Sequence, residues 1–202
     1  NSQILDIGCG RGKILGSLSS KLKLKKKPLG IDIINHKDRD KRINFKKIDA
    51  LNFALKSEKN FDLILIKQTI HLVKLNVIKK LLALLKKKLN PKGKILIFTL
   101  DTQTNEIPTF KLMRLKLNKS LNRDKKILKI ITKLYPYSIK KKFTFSVNID
   151  KKRYLEMVKN RYISTLIPLS KKQILKGAKE IEIKYKDILK FRDKLICIMI
   201  KN

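Results

Sequence analysis

Leu5-Asp6-Ile7-Gly8-Cys9-Gly10-Arg11-Gly12 is the stretch that decides the reading of this chain. It begins inside an apolar run, Ile4-Leu5-Asp6-Ile7, which reads as a short buried strand. Three glycines follow at alternate positions, and Lys13 to Leu22 then reads as a helix with Ile14, Leu15 and Leu18 on one face. Strand, glycine turn and helix together form a cradle for a ligand. Glycine permits the positive φ and close backbone approach such a turn needs, and the helix start beyond it offers unpaired N–H groups. Asp32 ends the next short strand, Leu29-Gly30-Ile31-Asp32-Ile33, about 20 residues on, where an acid can accept from ribose hydroxyls. A dinucleotide-binding loop would carry its third glycine at position 13, where Lys13 stands. Asp6, two residues before Gly8, would repel a pyrophosphate and attract cationic groups.

Outward from this loop the chain alternates strand and helix, which predicts a parallel sheet. A third strand is expected over Ile43 to Ile48, and Phe61 to Ile66 is apolar enough for a central strand covered on both faces. Val77 to Leu89 reads as a helix with Ile78, Leu81, Leu82, Leu85 and Leu89 as its stripe. Asn90-Pro91-Lys92-Gly93 is a turn, and Lys94 to Leu100 a fifth strand. Further helices are predicted over Pro108 to Leu134, Lys151 to Ile167 (Leu155, Val158 and Tyr162 inward) and Lys171 towards Leu189. Strands are predicted over Phe143 to Val147 and Leu195 to Ile200. Ser170 and Gln173 fit a capping box, with Leu169 and Ile174 as its hydrophobic staple.

The 202 residues suit a single α/β domain. Residues 1–100 are expected to form its ligand-binding half, 101–193 the later helices, a sixth strand and a cover, and 194–202 the final strand. The abrupt start at Asn1 and Ser2 suggests that an N-terminal helix is missing. Two cysteines, Cys9 and Cys197, and two histidines, His36 and His71, exclude a disulfide framework and a His- or Cys-built metal centre. No apolar run is long enough to span a membrane and no signal peptide opens the chain, which points to the cytoplasm. The net charge of +35 raises the question of a nucleic-acid partner. Only 8 of the 51 basic residues are Arg, the usual choice for bidentate phosphate or base contacts, and the Lys residues are spread along the chain. That pattern favours compositional bias over a nucleic-acid surface.

The Asp6-x-Gly8-x-Gly10-x-Gly12 loop resembles motif I of the class I S-adenosylmethionine-dependent methyltransferases. Asp32, Asp49-Ala50 after the third strand, Phe61 to Lys67 and the Asn90–Gly93 turn are similar to successive motifs of the same family. The resemblance implies a Rossmann-like, seven-stranded mixed sheet in the order 3-2-1-4-5-7-6, the last strand antiparallel, with helices on both faces. It implies S-adenosylmethionine as cofactor, released as S-adenosylhomocysteine. Asp6, Gly8, Cys9, Gly10, Gly12, Asp32, Ile33, Asp49, Ala50 and Lys67 are the cofactor-binding positions it carries over. Asp49 falls where the family holds the adenine amino group, and Lys67-Gln68 falls beside the methyl group.

On the acceptor side, His71 lies just past the fourth strand, at the sheet edge where ligands bind in open α/β folds. Histidine can take a proton near neutral pH, so His71 is the candidate base. Gln68, Arg161 and Tyr162 are candidate acceptor contacts, the last two from a segment resembling a lid in small-molecule branches. For Tyr162 core packing on its helix stripe is favoured over an acceptor contact. Cys9 is either a small filler or a thiol activated by Arg11 and the helix start. The favoured function is methyl transfer to a small molecule. The alternatives are an RNA or protein methyltransferase, motivated by charge alone, and a non-catalytic cofactor-binding protein. The sequence sets no oligomeric state.

Overall fold

The runs rich in Ile and Leu form strands where their patterning predicts. The computed structural model describes residues 2–202, and Asn1 lies outside them. β1 (Ile4–Ile7), β2 (Leu29–Asp32), β3 (Asn44–Lys47), β4 (Phe61–Lys67), β5 (Leu89–Leu100), β6 (Ile139–Asp150) and β7 (Ile188–Lys201) form one sheet in the order β3-β2-β1-β4-β5-β7-β6. β1 to β5 pair in parallel with their neighbours. β7 runs antiparallel to β5: the Asp101 amide donates to the Lys194 carbonyl, and the Asn202 amide to the Gly93 carbonyl. Order and sense are those that the family resemblance implies.

The helices are α1 (Lys13–Lys21), α2 (Ala50–Lys56), α3 (Leu75–Lys87), α4 (Lys111–Leu134), α5 (Lys151–Lys159) and α6 (Lys171–Lys184). The chain forms two compact units. The first comprises Asn1–Thr99, Ile127–Lys141 and Ile196–Asn202; the second comprises Leu100–Lys126 and Lys142–Leu195. In the first unit all four residues of β1 are buried, so both faces of that strand are covered. Leu5 and Ile7 face the main core with Ile64, Ile66, Ile95 and Ile97 and with the α3 stripe Ile78, Leu81, Leu82 and Leu85. Ile4 faces the other side, against Leu15 of α1 and Ile43. Each such side chain contributes roughly 1.5–3 kcal/mol on burial. In the second unit Phe110, Met113, Tyr154, Val158, Leu166 and Ile181 form a separate core.

Several boundaries differ from expectation. The helix predicted through Ile167 stops at Lys159. Arg161 turns left-handed at φ +52°, its amide bonds Val158 O at 3.0 Å, and the Tyr162 amide reaches back to Met157 O at 3.0 Å. This is a Schellman end built without glycine. A short 3₁₀ turn, Ser164–Leu166, follows. Tyr162 is 73% exposed, so the favoured core-packing reading is corrected: the helix ends before it and its ring is left outside the stripe. α6 stops at Lys184 rather than near Leu189, and the buried Leu189 belongs to β7. β6 and β7 are both longer than predicted, and α2 was not anticipated. The predicted capping box is present, with Gln173 N donating to Ser170 Oγ at 3.2 Å and Ser170 N to Gln173 Oε1 at 2.9 Å.

Candidate active site

All three glycines of the loop are left-handed, at φ +72° for Gly8, +53° for Gly10 and +71° for Gly12. Side chains at two of them would collide, with Thr69 at Gly8 and with Ile43 at Gly12. At Gly10 a Cβ would meet nothing within 4 Å, so the loop's crest borders open space. The loop is stitched to β2: the amides of Gly8 and Cys9 both donate to Ile31 O, at 2.8 and 3.1 Å. The Gly10 amide donates to Asp32 Oδ2 at 2.9 Å. The Gly12 amide folds back to Cys9 O at 2.8 Å, where α1 begins.

The strand register collects the charged residues on one face. Asp6 is paired with Gly30 and with Leu65. Because strand side chains alternate faces, Asp32 and Lys67, each two residues further on, share the face of Asp6. Asp6 is 4% exposed, and burial pushes its carboxyl from an ordinary value of 3.8 up to about 7, with Lys67 pulling it down and Asp32 pushing it up. Cys9 lies over this cluster against Gly30. Its thiol is pushed up to about 12 by burial and then by Asp6 and Asp32. Burial and two acids thus oppose the activated-thiol alternative, and the favoured reading of Cys9 as a small filler is retained.

Asp32 spends both oxygens on backbone amides, Oδ2 on Gly10 and Oδ1 on Ile34 at 3.0 Å. A carboxylate offers about four acceptor sites, so capacity remains for two hydroxyls. Ile33 and Ile34 beside it are 63% and 55% exposed, an apolar surface suited to a flat heterocycle. Asp49 is the N-cap of α2: it accepts from the Asn52 amide at 3.0 Å and from the Asn52 side chain, and these bonds hold its carboxyl below the usual range. Ala50 is the first residue of that helix.

Beyond β4 the chain makes a tight turn. Gln68 is left-handed at φ +55°, and its amide donates to Phe98 O at 2.9 Å. Thr69 follows, and its hydroxyl lies 3.1 Å from Lys67 O and 3.4 Å from Gly8 O. Ile70–Leu72 is a 3₁₀ turn in which Ile70 is buried, His71 half-buried and Leu72 66% exposed. The structure thus brings Asp6, Gly8, Cys9, Gly10, Gly12, Asp32, Lys67 and Gln68 to one end of the first unit's strands. Thr69 was missed in the sequence, where a lone threonine carries no signal. Arg161 and Tyr162 belong to the second unit, where the Arg161 guanidinium donates to Leu169 O at 2.8 Å. A cavity of about 690 Å³ lies at the opposite, amino edge of the strands, lined by residues including Gln3, Lys27, Leu29 and Phe61, and holds none of the candidate residues. Among the described residues no cluster of His, Cys, Asp or Glu could hold a metal ion, and no helix is long and apolar enough to cross a membrane.

A family model described as a methyltransferase domain matches residues 1–161. No curated protein matches the chain in sequence. Among solved structures, the chain is similar to the plantazolicin methyltransferase BpumL, in complex with a pentazolic desmethylPZN analog and SAH. Identity is 23% and the TM-score 0.55, over 100% of this chain and 77% of that one. It is similar to a SAM-dependent methyltransferase from Archaeoglobus fulgidus, at 19% identity and a TM-score of 0.57, over 100% and 86%. It is also similar to a protein from Anabaena variabilis described as a methyltransferase of an antibiotic biosynthesis pathway. There identity is 14% and the TM-score 0.66, over 98% and 90%.

Proposed function

Since the chain belongs to the class I S-adenosylmethionine-dependent methyltransferases, its residues 1–161 matching the methyltransferase domain family, we propose that it methylates a small-molecule acceptor and releases S-adenosylhomocysteine. The observation that carries the cofactor site is the left-handed glycine loop held by Asp32, with open space over Gly10. The donor set fits the cofactor: hydroxyls can use the spare acceptor sites of Asp32, the adenine an apolar face at Ile33, and the cationic groups the acids Asp6 and Asp32. Gly8, Cys9, Gly10 and Gly12 supply backbone to the cradle, Lys67 closes its β4 side, and Ala50 lies at the start of α2. Asp49 offers only what its capping bonds leave free.

When bound, the cofactor supplies a methyl group on a sulfonium, which leaves as a neutral thioether. The chain's residues need to align the acceptor, exclude water and take up its proton; alignment alone can supply roughly 7–11 kcal/mol. Gln68, at the end of β4, is the alignment residue and His71 the proton acceptor in this reading. A small-molecule acceptor is favoured by the similarity to natural-product enzymes, such as the plantazolicin methyltransferase. The test is incubation of the purified chain with methyl-labelled S-adenosylmethionine and a size-fractionated cell extract. Label should enter the low-molecular-weight fraction. Label confined to RNA or protein would overturn the acceptor class.

A further inference from the structure

Gly8 has a partner at each of its polar atoms, β2 at one and the turn after β4 at the other. Its amide donates to Ile31 O of β2 at 2.8 Å. Its carbonyl faces the Thr69 hydroxyl at 3.4 Å. The Thr69 side chain also fills the space that a side chain at position 8 would need. A hydroxyl carries one hydrogen, and Thr69 has two carbonyls within reach, Gly8 O in the cofactor loop and Lys67 O at 3.1 Å in its own turn. Thr69 follows Gln68, whose left-handed backbone sets the course of the turn, and precedes the 3₁₀ segment carrying His71.

We propose that Thr69 is a positioning residue that locks the turn after β4 onto the glycine loop, so that the segment carrying Gln68 and His71 is in register with the bound methyl donor. The proposal rests on the cofactor reading above. Thr69 acts through Gly8 and touches no reacting atom. Its methyl group sets the distance between the two loops, and its hydroxyl sets the tilt of the peptide that follows Gly8. A local backbone shift of this kind changes ligand affinity without unfolding the core, because Ile70, buried in the main core, keeps the far end of the turn anchored.

Calorimetric titration of S-adenosylmethionine into the full chain tests this, with the thermal midpoint read on the same samples. Thr69→Val keeps the shape and removes the hydroxyl; it should bind about fivefold more weakly at an unchanged midpoint. Thr69→Ser keeps the hydroxyl and should recover affinity to within about twofold of wild type. Gly8→Ala should lose affinity further, and adding Thr69→Ala should give a non-additive effect, because the colliding side chain is removed. Wild-type affinity in Thr69→Val, or equal losses in the Ser and Val variants, overturns the positioning role. If Thr69→Val does not fold, the Ser variant and the Gly8→Ala pair decide alone: a strictly additive pair overturns it. Failure of the wild-type chain to bind S-adenosylmethionine would instead remove the cofactor reading itself.

Discussion

The Gly10 amide donates a 2.9 Å hydrogen bond to the Asp32 carboxylate, so the crest of the glycine loop and the end of β2 are one structural unit. Asp32 therefore shapes the cradle and lines it. Asp32→Ala removes the anchor of Gly10 N–H and Ile34 N–H together with the acceptor proposed for the ribose. A hydrogen bond to a charged group is worth roughly 1.5–3 kcal/mol, so affinity for S-adenosylmethionine should fall by at least about tenfold in calorimetry. Unchanged affinity would remove the cofactor assignment.

Gly10 and Gly12 make a matched comparison. Both are left-handed, so alanine at either should cost roughly 1–2 kcal/mol of backbone strain. At Gly12 the new methyl also strikes Ile43, whereas at Gly10 it enters open space. Urea unfolding should therefore show Gly12→Ala as the less stable variant. Gly10→Ala should nonetheless lose cofactor affinity, because its methyl stands where the ligand approaches the loop. A Gly10→Ala protein that binds as wild type would place the ligand elsewhere.

Asp6 makes stability depend on pH in a defined sense. Its folded value, about 7, lies above its ordinary value of 3.8. The native state therefore holds a proton that the unfolded chain releases between those values. The stabilisation is fully present below pH 3.8 and is lost as pH rises through about 7. The linkage corresponds to roughly 4 kcal/mol as an upper bound. Asp6→Asn mimics the protonated carboxyl, so its thermal midpoint should match wild type near pH 3, pull ahead as pH rises above 3.8, and exceed it by several degrees at pH 8. A constant difference between the two proteins at all pH values would disprove the assignment.

Much of this was legible in the sequence because the relevant signals are local. The alternation of Ile4–Ile7, Gly8-x-Gly10-x-Gly12 and the α1 stripe places strand, loop and helix, and the sheet order came with the family resemblance. Ser170 and Gln173 announced their capping box for the same reason. What was not legible depends on tertiary contact or on breaking a propensity rule. α2 has only seven residues, too few for a periodic stripe, so Asp49 was read from its place after the third strand and its bonds to Asn52 were not foreseen. α5 stops at Lys159 because Arg161, two residues on, adopts a left-handed conformation that glycine usually signals. Thr69 gains its role only from a carbonyl 61 positions away.

Tyr154 separates stability from binding. Its hydroxyl donates to Pro108 O at 2.6 Å inside the second unit, and the residue is 2% exposed. Tyr154→Phe leaves that buried carbonyl without its donor, at a cost of about 1–3 kcal/mol. Urea unfolding should register the loss, while affinity for S-adenosylmethionine should be that of wild type, since the proposed cofactor residues all belong to the first unit. A matching loss of affinity would contradict the placement of the cofactor site in the first unit.

Gln68 carries the reverse signature. A glutamine at φ +55° costs roughly 1–2 kcal/mol that glycine would not pay in the folded state. Glycine adds unfolded-state entropy, which offsets part of that gain. Gln68→Gly should therefore leave the fold as stable as wild type, or more stable by up to about 1 kcal/mol. If the glutamine is retained at a strained position for its side chain, methyl transfer to the acceptor fraction should fall at least tenfold in the same variant, with cofactor affinity little changed. A stabilised variant with full transfer would show that the left-handed turn, and not the amide it carries, is what this position requires.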